Sequence, residues 1–276
     1  MTDFNNAAVL ITGAGGGFGR ELTRQFMAAG SRVILHDLNS AMLQAVRDEI
    51  DSDSPQVLAW ITADLSDSAG CQALFDKVAG AGLQPDILVN NAGIGVGGRF
   101  DCVPRDRWEQ VMQVDLLSPM RLCELFLPKM IERRSGHIVN ISSIAGWVGA
   151  RRLTSYCAAK FGLRGFSESL SKDVEEYGIN VSTIYPWFSR TPILDSAHFG
   201  PEEKVDVPDD VVTDPADVVA EMLRGVRNNK LHIFPDKMAR RVQFLKRHVP
   251  GLFDRIIRRM EEKIRVENDG VEGTVQ

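Results

Sequence analysis

The chain has 276 residues, of which 44% are hydrophobic, and its 32 Lys and Arg against 37 Asp and Glu give a net charge of −5. This length and apolar fraction exclude a wholly disordered chain, and the mildly acidic balance argues against nucleic-acid binding. No apolar run reaches the ~18 residues that a membrane-spanning helix needs.

Short β-branched or apolar runs alternate along the chain with longer stretches of helical periodicity. The predicted strands are 7–12, 32–37, 56–62, 87–90, 137–141, 179–185 and 231–234. The predicted helices are 17–29, 40–50, 66–79, 107–134, 155–177 and 214–228. This alternation predicts an α/β fold in which a parallel sheet carries helices on both faces. No linker rich in Pro, Gly or Ser interrupts it, so we predict one domain over 1–235 with a C-terminal extension over 236–276.

A glycine-rich turn follows the first predicted strand. It reads Thr12-Gly13-Ala14-Gly15-Gly16-Gly17-Phe18-Gly19, and a predicted helix begins inside it. Small residues let the backbone approach a pyrophosphate, and the helix N-terminus offers unpaired N–H groups. The turn therefore predicts a dinucleotide site; the alternative is a tight strand-to-helix turn without a ligand.

Asp37 ends the second predicted strand. A carboxylate there can accept hydrogen bonds from the ribose diol of adenosine and would repel a 2′-phosphate. Neither Leu38 nor the glycine turn before Gly17 supplies a Lys or Arg to neutralise such a phosphate. We therefore predict NAD rather than NADP as the cofactor. The alternative is that Asp37 is a helix N-cap or turn residue.

Tyr156 and Lys160 lie four residues apart and so share one face of the predicted helix. A cation within ~4–6 Å favours the ionised form of a tyrosine by ~1–3 pKa units. Tyr156 could then act as general base toward an alcohol or general acid toward a carbonyl. Ser143 could donate a hydrogen bond to the substrate oxygen. The alternatives are a Tyr/Lys pair on an exposed helix face and a serine that caps a helix.

These features occur in an order that resembles the short-chain dehydrogenase/reductase family. The matching motifs are the glycine turn, Asp64 after the third strand, Asn90-Asn91-Ala92-Gly93 after the fourth, Ser143, and Tyr156-Cys-Ala-Ala-Lys160. The resemblance covers residues 7 to about 235. It implies a Rossmann-like, doubly wound sheet of about seven strands, an oxidoreductase activity and a homodimer or homotetramer.

The resemblance also implies the site residues. It places catalysis at Ser143, Tyr156 and Lys160, with Asp115 at a fourth catalytic position. It places cofactor contacts at Gly13, Gly16, Gly17, Phe18, Gly19, Asp37, Asp64, Leu65, Asn91, Ala92, Gly93, Tyr156, Lys160, Pro186, Phe188 and Thr191. The four scattered cysteines form no Cys-x-x-Cys and the sequence has no His-Glu-x-x-His, so we predict no metal site.

Asp115 is a departure from the family pattern, because the family commonly has Asn in this V-N-L-like context. Asp keeps a hydrogen-bond acceptor but lacks the amide donor. An anion near Lys160 would hold the lysine charged more firmly. We expect that activity is retained, with slower catalysis as the alternative.

A second departure follows the sixth predicted strand, where the family usually has Pro-Gly. This chain reads Pro186-Trp187-Phe188-Ser189-Arg190-Thr191. Thr191 is still placed to meet the nicotinamide carboxamide. Trp187 replaces a flexible glycine, so we expect it to reshape the nicotinamide pocket or the substrate entrance.

Apolar side chains cluster in the segments expected at the substrate mouth. They are Trp147, Trp187, Phe188, Ile193, Leu194 and Phe199. We predict a hydrophobic secondary alcohol or ketone that contacts Ser143, Trp147, Tyr156 and Trp187. The alternative, that these residues pack the loop itself, has equal weight.

The C-terminal extension is basic, with ten Lys and Arg against three Asp and Glu between 237 and 265. An apolar stripe at helical spacing predicts an amphipathic helix pair broken at Pro250 and Gly251. It comprises Met238, Val242, Leu245, Val249, Leu252, Ile256, Met260 and Ile264. The pair could pack on its own chain, cover the substrate mouth or a sister subunit, or dock on a membrane surface.

The sequence as a whole predicts an NAD(H)-dependent oxidoreductase that interconverts a hydrophobic secondary alcohol and its ketone. One alternative is an NADPH-dependent carbonyl reductase with the same residues. Another is a weakly catalytic NAD-binding module that docks on membranes or partners. Four scattered cysteines and no secretory signal favour the cytoplasm, with possible peripheral membrane contact through 237–265.

Overall fold

A computed structural model describes residues 1–50, 54–200 and 212–251, together with Phe253 and Arg255. Within them, seven parallel strands form one sheet in the order β3-β2-β1-β4-β5-β6-β7. The strands are β1 (Ala8–Thr12), β2 (Arg32–Asp37), β3 (Val57–Thr62), β4 (Ile87–Asn90), β5 (Gly136–Ile141), β6 (Ile179–Ile184) and β7 (His232–Ile233). The sheet confirms the predicted Rossmann-like fold, and each predicted strand lies within two residues of the observed one.

Eight α-helices of the described residues surround the sheet. They are α1 (Gly17–Ala28), α2 (Ser40–Glu49), α3 (Ser68–Gly80), α4 (Arg105–Met112), α5 (Ser118–Arg133), α6 (Thr154–Val174), α7 (Pro215–Arg227) and α8 (Lys237–His248). Alternate residues of each strand point to opposite faces, so the sheet has two apolar cores. One core joins the sheet to α1, α2 and α7, and the other joins it to α3, α5 and α6.

A π-helical turn interrupts what the sequence predicts as a single helix over 107–134. The turn spans Gln113–Leu117 and connects α4 to α5. An i→i+5 turn adds one residue to the helical repeat, so it rotates the side chains that follow relative to those before it. Asp115 lies inside this turn and is fully buried.

The C-terminal helix α8 ends at His248, and the next helical residue is Pro250. The predicted break at Pro250 and Gly251 is therefore wrong by one position, since the chain leaves helical geometry at Val249. Proline is tolerated in the first turn of a helix, where its missing N–H has no partner to lose. The rest of the predicted stripe, Leu252, Ile256, Met260 and Ile264, lies outside the described residues.

Candidate active site

Asp37 lies at the carboxyl end of β2, beside the glycine turn. Its Oδ2 accepts a hydrogen bond from the Gly15 N–H at 2.9 Å, and its Oδ1 accepts one from the Asn39 N–H at 3.0 Å. Asn39, not Asp37, is the N-cap of α2, because its side chain accepts from the Ala41 N–H. Each Asp37 oxygen keeps a second lone pair for an external donor such as a ribose hydroxyl.

The glycine turn is packed closely against the rest of the site. A Cβ on Gly17, the first residue of α1, would lie 2.6 Å from Cγ2 of Thr191, so only glycine permits this approach. The N-cap of α1 is Gly16, which has no side chain to satisfy the N–H groups of the first turn. Free N–H groups at a helix start beside a buried carboxylate fit the pyrophosphate and ribose of a bound dinucleotide.

The Asn91 side chain supports the glycine turn from the end of β4. Its Nδ2 donates to the carbonyl oxygens of Thr12 and Gly13 at 2.9 and 3.0 Å. The Thr12 hydroxyl accepts from the N–H groups of Asn91 and Ala92, both at 3.0 Å. The side-chain amide of Asn91 is therefore committed to holding the turn.

Four further predicted contact residues lie at or near the same edge. Asp64 is exposed after β3, and its Oδ1 accepts from the Ser66 N–H at 2.9 Å. Leu65 is buried in the core that contains α3. Phe18 packs against the opposite core, and the carbonyl oxygen of Pro186 accepts from the Ile144 N–H at 2.9 Å.

Ser143 follows β5 and begins a short 3₁₀ turn. Its Oγ accepts a hydrogen bond from the Ala145 N–H at 3.1 Å, so the serine caps this turn. It also lies near enough to Tyr156, in the first turns of α6, to act to lower the pKa of that phenol. Ser143 is therefore a cap, as the alternative interpretation expected, and it also stands at the predicted catalytic position. The bond from the Ala145 N–H holds its hydroxyl near the Tyr156 phenol.

Lys160 lies one helical turn after Tyr156, with Nζ 5.5 Å from the centre of the phenol ring. Nζ donates to the carbonyl oxygen of Ile141 at 3.1 Å and lies 3.0 Å from Oδ2 of Asp115. The lysine side chain is only 5% exposed and that of Asp115 is 0% exposed. The two charges therefore form a buried ion pair.

Burial and charge set the proton affinities of these three groups. Burial is the largest effect on Lys160 and lowers its pKa, but Asp115 and Tyr156 together outweigh it, and the net pKa lies above the ordinary value. Burial raises the pKa of Asp115 against the opposing effect of Lys160. Burial, reinforced by Asp115, also raises the pKa of Tyr156, although Lys160 and Ser143 act to lower it. Lys160 thus acts on the pKa of Tyr156 in the expected direction, but burial and Asp115 together exceed its effect in the cofactor-free site.

The sequence model described as "short chain dehydrogenase" matches residues 7–199. This match covers more than half of the chain. The chain belongs to the short-chain dehydrogenase family. It is thus a member of an oxidoreductase family, as the sequence motifs predict.

Relatives of this short-chain dehydrogenase differ in length. The Dehydrogenase/reductase SDR family member 7B of Bos taurus is 32% identical over 261 residues, which are 91% of this chain and 80% of the relative. The Probable oxidoreductase EphD of Mycobacterium bovis is 33% identical over 208 residues, which are 74% of this chain. The aligned part is 35% of EphD, so the chain spans about a third of that relative's length.

Solved structures share the fold of this short-chain dehydrogenase. One from Burkholderia phymatum, in complex with NAD, has a TM-score of 0.79 and 24% identity, covering 91% of this chain and 96% of that chain. One from Sphingobium yanoikuyae, in complex with NADPH, has a TM-score of 0.75 and 23% identity, covering 98% and 96%. These two neighbours bind different dinucleotides, and their likeness to this chain is one of fold.

The C-terminal helix of this short-chain dehydrogenase packs next to Ser143. Ala239 and Val242 of α8 are buried against Ile144, the residue after the serine, and Trp187 packs on the same cluster. This part of the predicted stripe therefore packs on its own chain. No helix among the described residues is long and apolar enough to cross a membrane.

Asp236 joins α8 to the segment after β6, a role that sequence reasoning missed. Its Oδ1 accepts from the Ala239 N–H at 2.7 Å and caps α8, while its Oδ2 accepts from the Trp187 N–H at 2.9 Å. An Asp before a helical stripe is a recognisable N-cap signal. The bond to Trp187 spans 49 residues, and no local pattern indicates it.

The two tryptophans predicted to contact substrate both pack on the cluster around Ile144, but their ring partners differ. The Trp147 ring packs edge-on against Tyr185 and Phe234, and the Arg164 guanidinium lies 3.7 Å from its centre. This is a packing cluster at the edge of the sheet. The Trp187 ring packs on Phe188, and its Nε1 is buried without a hydrogen-bond partner among the described residues.

A short pair of β-strands lies over the residues that follow Gly93. Gly97–Gly98 pairs with His198–Phe199 as a two-residue parallel ladder, which the sequence does not predict. The ladder brings the segment with Ile193 and Phe199 over the residues that follow β4. Residues 201–211, which follow this segment, lie outside the described residues.

Proposed function

We propose that this chain is an NAD(H)-dependent oxidoreductase that interconverts a hydrophobic secondary alcohol and its ketone. The observation that carries the proposal is the buried Lys160, whose Nζ lies 5.5 Å from the Tyr156 ring centre, with Ser143 on the other side of the sequence motif and acting on the same phenol. A hydroxyl, a phenol and an ammonium group in this order can bind a substrate oxygen and exchange a proton with it. Membership of an oxidoreductase family supports the reaction class.

The three side chains have separate roles in this proposal. Tyr156 Oη takes a proton from the alcohol oxygen or gives one to the carbonyl oxygen. Ser143 Oγ donates a hydrogen bond to the same oxygen, while its own acceptor function is used by the Ala145 N–H. Lys160 stays charged beside the phenol and is oriented by the Ile141 carbonyl. A bound nicotinamide dinucleotide would supply the hydride acceptor or donor.

The preference for NAD over NADP rests on Asp37. Its carboxylate is held at the end of β2 by the N–H groups of Gly15 and Asn39 and cannot easily turn away. A 2′-phosphate ~4 Å from this carboxylate would be repelled by about 4 kcal/mol at an effective dielectric constant near 20. An NADPH-dependent carbonyl reductase remains the alternative, since a fold neighbour binds NADPH.

An apolar substrate is supported by the residues beyond the catalytic edge. Ile193 is 38% exposed and lies against Gly95, close to the end of β4. Trp187 adds an apolar ring, and its unpaired Nε1–H is a donor for a polar group of a ligand. A mainly apolar pocket with a few directed polar groups is typical of a small-molecule site.

The proposal is tested by NADH formation from NAD with a panel of hydrophobic secondary alcohols, and by the reverse reaction with the matching ketones. Wild type should turn over at least one pair and should prefer NAD(H) to NADP(H). Tyr156→Phe should lose about 10²- to 10⁴-fold in kcat, the range that a general acid–base contributes. Tyr177→Phe, the same change in the 3₁₀ turn that follows α6, should keep full activity.

Three outcomes would contradict all or part of the proposal. Binding of NAD without turnover of any alcohol or ketone would favour a weakly catalytic binding module. Turnover that is equal in Tyr156→Phe and wild type would remove Tyr156 from the reaction. Turnover with NADPH in strong preference to NADH would keep the chemistry and overturn the cofactor assignment.

A further inference from the structure

The carboxylate of Asp115 is sealed into the catalytic site. Its Oδ1 accepts a hydrogen bond from the Ile94 N–H at 2.8 Å, and its Oδ2 lies 3.0 Å from Lys160 Nζ. Within the described residues, Oδ2 has no other polar partner. A Cβ on Gly93 would come within 3.2 Å of this oxygen, so the glycine lets the backbone close over the ion pair. Solvent cannot screen charges in such a position.

We propose that Asp115 acts through Lys160: it cancels the ammonium charge beside Tyr156 and so keeps the phenol protonated at neutral pH. The site then works as a proton donor to a carbonyl oxygen at neutral pH, and alcohol oxidation needs alkaline conditions. The inference rests on the proposed function for its reaction, but the protonation of Tyr156 can be measured without any reaction.

Few charged groups act on the phenol, and Asp115 is the carboxylate among them that opposes Lys160. Among the described residues, the groups that influence Tyr156 are Lys160 and Cys157 on α6, Ser143 after β5, and Asp115 in the π-helical turn. Lys160 is the cation of this set, and Asp115 neutralises it at 3.0 Å. With the pair ionised, the phenol faces a net charge near zero, and burial then favours its neutral form.

An asparagine at this position would behave differently. It would keep an oxygen for the Ile94 N–H but would leave the charge of Lys160 uncompensated beside the phenol. An uncompensated cation within ~4–6 Å lowers the pKa of an acid by ~1–3 units. The Asp115 carboxylate thus determines the pH range in which the enzyme catalyses oxidation or reduction. It does not change the equilibrium constant between alcohol and ketone.

The proton transfer balances in both directions. In reduction, a bound reduced nicotinamide would supply a hydride to the carbonyl carbon and be oxidised, and Tyr156 would give its proton to the carbonyl oxygen and become tyrosinate. In oxidation, tyrosinate must already be present to take the proton from the alcohol. A phenol that stays neutral at pH 7 therefore limits the fraction of enzyme that is competent for oxidation.

The test is a spectroscopic pH titration of the cofactor-free protein, followed through tyrosinate absorbance. Subtracting the titration of Tyr156→Phe isolates Tyr156 from the other two tyrosines, Tyr177 and Tyr185. The wild-type midpoint should lie above the ordinary value of about 10. Asp115→Asn should move it down by about 1–3 units, and its rate of NAD-linked alcohol oxidation should rise at correspondingly lower pH.

Asp173→Asn is the matched control, because it removes the same charge from the same helix as Tyr156. Asp173 lies 17 residues after Tyr156 on α6, which is about 25 Å of helical rise. Its titration curve should match wild type, since a surface charge so far away is screened. Asp115→Ser, which is neutral but smaller, should shift the midpoint in the same direction as Asp115→Asn if charge is the cause.

A wild-type midpoint at or below the ordinary tyrosine value would overturn the proposal, and this measurement needs no variant. Identical midpoints for wild type and Asp115→Asn would also overturn it. Failure of the proposed function looks different, because the protein could then show the titration shift without turning over any alcohol or ketone.

Discussion

At the scale of single residues, Asp37 is the group on which the proposed cofactor preference depends. Asp37→Ser should weaken NAD binding, because the ribose diol loses a charged acceptor. It should strengthen NADP binding relative to NAD by about tenfold or more, because the repulsion of the 2′-phosphate disappears and 1.4 kcal/mol is a factor of ten. Titration calorimetry with both dinucleotides measures the two dissociation constants.

A second variant distinguishes the effect of the Asp37 charge from the effect of its hydrogen bonds to the backbone. Asp37 also accepts from the N–H groups of Gly15 and Asn39, so a change here could loosen the glycine turn. Asp37→Asn keeps an oxygen acceptor near that position and removes the charge. If charge controls preference, both variants should shift the NAD-to-NADP ratio in the same direction. A wild-type protein that binds NADP as tightly as NAD would contradict the argument.

At the scale of elements, local patterns predict the sheet well because inner strands such as β1, β2 and β4 are buried on both faces. Runs such as Ile87–Asn90 and Arg32–Asp37 have the same bounds in prediction and structure. The π-helical turn at Gln113–Leu117 was not predicted, because apolar periodicity cannot distinguish one extra residue in a long helix. The geometry of the Asp115 ion pair depends on that turn.

Most features of the site that could not be predicted from the sequence are contacts between segments that lie far apart in the chain. The motif residues Ser143, Tyr156 and Lys160 are identified by spacing, yet their surroundings come from elsewhere in the chain. The Ile94 N–H fixes Asp115, and the ladder of His198–Phe199 covers the region beyond it. Such pairings obey no sequence period, so only the three-dimensional structure gives them.

Asp236 is the residue through which α8 is attached to the site. Asp236→Ala should lower the free energy of unfolding by about 2–4 kcal/mol. A lost N-cap costs about 1 kcal/mol, and a buried N–H left without a partner costs about 1–3 kcal/mol. The Trp187 N–H and the first turn of α8 both lose their acceptor. Chemical denaturation measures the difference.

Asp214→Ala is a control for this prediction. Asp214 caps α7 through the Ala216 N–H at 2.7 Å, is exposed, and has no second bond of the kind that Asp236 makes to Trp187 among the described residues. Its loss should cost only about 1 kcal/mol. Equal losses in the two variants would mean that the bond to Trp187 contributes nothing, and that α8 is held by its apolar face alone.

At the scale of the whole molecule, two histidines buried in the sheet make the fold sensitive to acid. His36 on β2 and His137 on β5 are each 1% exposed. Burial lowers the pKa of each imidazole from 6.5 to about 4. His36 Nε2 contacts the Ala63 carbonyl at 3.1 Å, and His137 contacts the hydroxyls of Thr2 and Ser182 at 2.8 and 2.9 Å. Both side chains are therefore neutral in the native protein at pH 7.

The sign of the pH dependence follows from these values. Between pH 6.5 and about 4 the unfolded chain binds protons at both histidines and the folded chain does not, so the free energy of unfolding falls as pH falls. Each histidine contributes at most about 3 kcal/mol to that loss, at 1.36 kcal/mol per pKa unit. Below about pH 4 both states are protonated and this contribution stops changing.

A comparison of His36→Gln with wild type tests this origin of acid sensitivity. Gln keeps an amide N–H for the Ala63 carbonyl but cannot be protonated, so the variant should lose stability less steeply between pH 6.5 and 4. As the pH falls, the unfolding free energy of His36→Gln should therefore rise relative to that of wild type. His248→Gln changes an exposed histidine and should follow the wild-type curve. If the unfolding free energies of wild type and His36→Gln fall in parallel with pH, protonation of the buried His36 imidazole is not the cause of the acid sensitivity.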